Sequence, residues 1–136
     1  MKILLISPLP PPSGGIARWT ERYLEWCKDK HEVIVVNTAL QGERSGEAGK
    51  KINFIDEVKR AIYVIRETKK GIQCEPEIIH INTSCSKLGI LRDWICMRLA
   101  YKKKIPAIVH CHCNIVDQLG TGKLATRLFS DMVRKS

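Results

Sequence analysis

Aromatic residues are scarce in this chain: Phe, Trp and Tyr make up only 6% of its 136 residues. Nucleic-acid binding by base stacking needs more of them, and no known nucleic-acid-binding motif occurs, so nucleic acid is not an expected partner. No apolar run approaches the roughly 20 residues that span a bilayer. The stretch from Ile3 to Ile6 is too short for a signal-peptide core, and Pro8 ends it without a small-residue cleavage pattern. A cytoplasmic location is therefore expected. Paired catalytic carboxylates and a serine nucleophile elbow are also missing. Acidic residues are in deficit, with 14 Asp and Glu against 23 Lys and Arg, for a net charge of +9. Such a balance favours anionic partners such as phosphorylated substrates or acidic lipid.

What is present fits one globular domain. Hydrophobic residues make up 44% of the chain, enough to build a core. The six cysteines do not suggest a disulfide framework, because Cys27, Cys96 and Cys111 sit inside apolar periodic segments where cysteine acts as a small buried hydrophobe. Asn82-Thr83-Ser84 matches the glycosylation sequon, which without a secretory signal is a chance match.

Strand and helix patterns alternate four times. Strands are expected at 2–7, 32–37, 77–82 and 105–113. Helices are expected at 15–28, 54–70, from Ser86 onward and at 119–135. The first helix would bury Ile16, Trp19, Tyr23 and Trp26. The second would bury Phe54, Ile55, Val58, Ile62 and Ile65, and the third Leu88, Leu91, Ile95, Met97 and Leu99. Residues 38–51, with three glycines and mixed charge, read as a loop. Repeated βα units imply a parallel, doubly wound α/β sheet whose ligands sit beyond the C-terminal strand ends. The sequence stops at Ser136 directly after a helix, where another strand is expected, so the domain reads as incomplete.

The most informative segment is the turn after the first strand, Ser7-Pro8-Leu9-Pro10-Pro11-Pro12-Ser13-Gly14-Gly15. Prolines stop the strand, and two glycines lead into a helix. They permit positive φ and leave the backbone bare, so a phosphate or sugar could approach the helix N-terminus. The competing reading is a plain connecting turn. Arg18, one turn into the helix, could support a phosphate above Gly14 and Gly15. Asn82, Thr83 and Ser84 end the third strand, where they could bind acceptor hydroxyls or simply cap the next helix.

His110-Cys111-His112-Cys113 invites a zinc hypothesis. Strand alternation argues against it, because the histidines share one face and the cysteines the other. No metal or other cofactor is expected. His110 reads as a lone core histidine, while His112, at the strand end, can reach the ligand crevice. Gly120-Thr121-Gly122-Lys123-Leu124-Ala125 mimics a dinucleotide fingerprint, but it follows no strand and has no acidic ribose ligand after it.

The opening Met1-Lys2-Ile3-Leu4-Leu5-Ile6-Ser7-Pro8-Leu9-Pro10-Pro11-Pro12-Ser13-Gly14-Gly15 resembles that of the family 4 glycosyltransferases, retaining enzymes of the GT-B fold. Pro106-Ala107-Ile108-Val109-His110-Cys111-His112 is similar to their strand that ends in an active-site histidine. Ile78-Ile79-His80-Ile81-Asn82 resembles the strand before the acceptor loop. The resemblance covers the family's N-terminal, acceptor-side domain with its Rossmann-like sheet. It implies sugar transfer from a nucleotide-sugar donor to a glycan or lipid-linked acceptor. By the same resemblance Gly14 and Gly15 would lie against the donor diphosphate or the acceptor, and catalytic His112 would touch the transferred sugar. Cys113 stands where the family usually has glycine, and the family's E-x7-E donor domain is not in this sequence.

Two rival expectations remain: an acceptor-binding subunit that works with a separate donor-binding chain, and a non-enzymatic anion-binding α/β module. The basic residues of the helices, including Lys102, Lys103 and Lys104, fit either solvated faces or an anionic membrane surface.

Overall fold

A computed structural model describes residues 1–11, 13–39, 54–83, 86–112 and 123–136. Strands β1 (Lys2–Ser7), β2 (Glu32–Asn37), β3 (Ile78–Thr83) and β4 (Ala107–Cys111) alternate with helices α1 (Gly15–Cys27), α2 (Phe54–Gln73), α3 (Lys87–Lys102) and α4 (Lys123–Lys135). The strands form one parallel sheet in the order β2-β1-β3-β4. The chain is thus α/β, with the helix-flanked parallel sheet of a Rossmann-like, doubly wound fold. β1 lies inside the sheet, which is why its sequence is apolar on both faces. Leu4, Leu5 and Ile6 are fully buried, each contributing about 2 kcal/mol of transfer free energy.

Register sorts the side chains by face. Leu5 stands beside Val35 and His80, and Asn82 beside His110. Parallel neighbours share a face, so Ser7, His80, Asn82 and His110 all lie on the side that α1 covers. Leu4, Ile6, Ile79, Ile81 and Val109 lie on the other side, within the core that Val64, Ile90, Met97 and Met132 of the remaining helices complete.

That three-helix layer differs from expectation in its faces. Phe54, Ile55 and Ile62 of α2 are exposed, while Val64, Thr68, Gly71 and Ile72 are buried. The helix also runs past Lys70 to Gln73. Gly71 permits this, since a Cβ there would stand 2.5 Å from Leu4 Cδ1. In α3, Ser86 caps the N-terminus by accepting from the Gly89 amide at 3.2 Å. Its core row is Ile90, Cys96, Met97 and Ala100, with Leu91 exposed. Trp26 of α1 is likewise exposed. β4 is shorter than expected, and most of the loop read at 38–51 and the whole pseudo-fingerprint turn Gly120 to Gly122 lie outside the described residues.

Polar side chains are also built into this layer. Arg92 donates through Nε and Nη2 to Asp93 Oδ1, both at 2.7 Å, and both residues are buried. Burial pushes the Asp93 carboxyl up, opposed by Arg92, by a hydrogen bond from Thr83 and by Arg60. Thr68 donates to Cys96 Sγ across the α2–α3 contact. Cys27, Cys74 and Cys96 are free thiols. Among the described residues no helix is long and apolar enough to cross a membrane.

Candidate functional site

The strand order reverses between β1 and β3: from β1 the chain turns toward β2, and from β3 it turns toward β4. The connections diverge there, and in such sheets ligands usually sit beyond the C-terminal edge at that point. Gly14 and Gly15 arrive at this edge from β1, Asn82 and Thr83 from β3, and His112 from β4.

A buried chain of hydrogen bonds ties the elements together there. Asn82 Nδ2 donates to Ser7 Oγ at 2.9 Å, and Ser7 Oγ meets Thr20 Oγ1 at 2.6 Å. Thr20 Oγ1 also lies 2.9 Å from the Ile16 carbonyl, to which it donates. With that proton committed, Ser7 donates to Thr20, and the relay runs from β3 through β1 into α1. Asn82 is 2% exposed, and its Oδ1 has no hydrogen-bond partner. The side chain of Asn37 secures the proline-rich turn, its Oδ1 accepting from the amides of Leu9 and Ala39, both at 2.9 Å.

The glycine turn differs from the left-handed geometry that paired glycines permit. Gly14 is extended, at φ −130° and ψ 170°, and neither glycine adopts a positive φ. A Cβ on either would meet no atom within 4 Å. Neither backbone strain nor packing within the chain therefore requires glycine at these positions. What glycine leaves is open space over a bare helix N-terminus. No side chain caps α1 there, and its first turn contains no acidic residue. Such an end presents amides and a positive dipole to an anion. Arg18 sits one turn in, exposed, its amide donating to the Gly14 carbonyl at 2.9 Å.

His112 belongs to an aromatic cluster beneath α1. Its ring centroid lies 4.0 Å from that of His110 and 5.4 Å from Trp19. Trp19 also meets His110 at 5.0 Å and His80 at 5.5 Å, and it stacks on Tyr23 at 4.9 Å. His110 is therefore no lone core histidine. Burial lowers the His112 pKa, and His110 lowers it further. His80, 8% exposed, is held down to about 4 by burial and then by the other two histidines. The imidazoles of His80 and His112 are thus neutral at neutral pH, able to accept a proton or donate a hydrogen bond. The Nε2 atoms of both are buried without a hydrogen-bond partner.

The expected site residues separate. Gly14, Gly15, Arg18, Asn82 and His112 all stand at this C-terminal edge, although Asn82 is buried there. Thr83 is fully buried and turned to the opposite face, where it bonds Asp93. Ser84 and Cys113 lie outside the described residues. Among the described residues no group of three His, Cys, Asp or Glu is placed to hold a metal ion. The sequence placed Ser7 and Asn37 at the ligand-side strand ends without a role, and gave no sign of Thr20 or of a part for His80. The signal for His80 was its even spacing from Asn82 on the strand that pairs with β4. No protein-family model matches the chain, and neither does any curated protein or solved structure.

Proposed function

We propose that the chain is the acceptor-side domain of a retaining glycosyltransferase of the family 4 type, taking part in transfer of a sugar from a nucleotide-sugar to a glycan or lipid-linked acceptor. The observation that carries the reading is the pairing of two features at the strand ends. An open, glycine-built helix N-terminus lies on one side, and a neutral histidine with an unpartnered Nε2 lies at the end of β4. The resemblance of the opening segment supplies the reaction class.

In this reading the amides at the start of α1 and the Arg18 guanidinium receive negative charge on the departing diphosphate or on a phosphorylated acceptor. His112 donates to, or accepts from, a hydroxyl of the transferred sugar and orients it. The relay of Asn82, Ser7 and Thr20 touches no ligand in this scheme. It fixes α1 against β1 and so sets where the amides point. Most of the donor grip belongs to a separate donor-binding domain, supplied in the same polypeptide or by a partner.

The test is a titration of isotope-labelled chain, read at backbone amides. Phosphorylated or lipid-linked glycan acceptors should shift Gly14, Gly15 and His112, with nucleotide-sugar alone binding weakly. Tight nucleotide-sugar binding by this chain would overturn the division of labour. No response to any sugar or diphosphate would overturn the reading itself. With a donor-binding domain supplied, His112→Ala should lower turnover by about a hundredfold at unchanged far-ultraviolet circular dichroism.

A further inference from the structure

The protons of the buried hydroxyl relay can run in only one direction. The Ile16 carbonyl can only accept, so the Thr20 hydroxyl donates to it. Ser7 must then direct its single proton to Thr20, and its bond with Asn82 is one that it accepts. The amide orientation of Asn82 follows from this. Its Nδ2 faces Ser7 on β1, and its Oδ1 is turned away, with no hydrogen-bond partner among the described residues. Asn82 shares its face with His110, its partner in register on β4, and with His112 one even step beyond. His112 Nε2 is also buried and has no partner among the described residues.

We propose that Asn82 is a positioning residue for His112: a buried water accepts from His112 Nε2–H and donates to Asn82 Oδ1, which holds the imidazole in its Nε2–H tautomer. Buried polar atoms are nearly always paired, and where the chain supplies no partner an ordered water does. The relay sets the direction of that bridge. Oδ1 can only accept, so the water gives it a proton, and giving that proton makes the water oxygen a better acceptor toward the ring. Every donor then points the same way, from His112 through the water, Asn82, Ser7 and Thr20 to the Ile16 carbonyl. His80 Nε2, buried, unpartnered and two residues before Asn82 on the same face, takes the second water proton. The water thus has three partners, the usual number for a buried one.

A neutral imidazole carries one ring proton, so placing it on Nε2 leaves Nδ1 as the acceptor. The use of that acceptor rests on the sugar-transfer reading, in which Nδ1 accepts from a hydroxyl of the transferred sugar. The tautomer itself does not, because it belongs to the chain alone. Thr20 controls it from a distance. Without the Thr20 hydroxyl, the Ser7 proton turns to the nearest buried acceptor, Asn82 Oδ1. The amide then turns over, Nδ2 faces the water, the bridge reverses, and His112 takes the Nδ1–H form.

Long-range nitrogen–proton spectra of the chain, isotope-labelled at histidine and held near neutral pH, test this. His112→Gln identifies the signals of that ring. The Nε2–H tautomer of His112 should be in roughly tenfold excess, and its ring proton should show a cross-peak to water. Thr20→Val should invert the ratio, while Thr20→Ser, which keeps the hydroxyl, should preserve it. Ser7→Ala frees the amide with a smaller change in packing and should lower the ratio about threefold. Circular dichroism checks that each variant folds, and if Thr20→Val does not, Ser7→Ala decides. A parent chain in the Nδ1–H form, no cross-peak to water, or an unchanged ratio in either folded variant would overturn the proposal. So would an inversion in Thr20→Ser equal to that in Thr20→Val. A chain that binds no sugar can still pass this test, and one that binds sugar can fail it.

Discussion

His80 is packed against Trp19, Tyr23 and His110, and burial holds its pKa near 4 against an ordinary 6.5. Between those values the unfolded chain binds a proton that the folded chain refuses, so stability rises with pH across that window. It is fully present above about pH 6.5 and is lost as pH falls toward 4. Urea unfolding at pH 7 and pH 4.5 should differ by on the order of 2 kcal/mol from this group, and His80→Phe should flatten the dependence. A pH-independent midpoint for the parent chain would contradict this placement of His80. Lys104 raises a different residue-scale issue, because it holds φ at 57°, the left-handed region. Lys104→Gly removes the clash of its Cβ and should stabilise by about 0.5–1 kcal/mol, seen as a melting temperature higher by a few degrees. An unchanged or lower melting temperature would contradict it.

Helix α2 shows how a local pattern can be outweighed by packing. Its strongest apolar spacing runs through Phe54, Ile55, Val58, Ile62 and Ile65; Ile65 packs against the core, yet Phe54, Ile55 and Ile62 are exposed and the buried row is Val64, Thr68, Gly71 and Ile72. Glycine at 71 suits that face, since a Cβ there would stand 2.5 Å from Leu4 Cδ1. Gly71→Ala should therefore destabilise by about 1 kcal/mol, as overpacking against a fully buried leucine outweighs the gain in helix propensity. The pair Gly71→Ala with Leu4→Val should recover part of the loss in denaturant titration; equal losses would show that the contact is not the cause. Strand positions were legible because alternation and apolar runs are local signals, and β1, β2 and β3 fall within a residue of their expected bounds. Helix faces were legible only in part, with Ile65, Met97 and Leu99 in or against the core as expected, since faces depend on which side chains across the sheet leave room. The strand order that sets the C-terminal edge was legible from βα alternation, but the relay of Ser7, Thr20 and Asn82 was not, because its members are 13 and 75 residues apart in sequence.

For the whole molecule, charge and architecture divide along the sheet. The basic three-helix layer repels itself at low ionic strength, so added salt should stabilise the chain in thermal unfolding by screening. A melting temperature that falls with moderate salt would mean that ion pairs such as Lys135 with Asp131 dominate instead. On the opposite side only α1 stands over the sheet among the described residues, and His80, His110 and His112 lie beneath it. Acid therefore attacks the molecule from one side. Protonation of His80 and His112 under α1 would prise that helix away first, while the dry layer of α2, α3 and α4 still grips the sheet. The chain should come apart like a hinged lid: in mildly acidic solution, hydrogen exchange should accelerate along α1 before it touches β1.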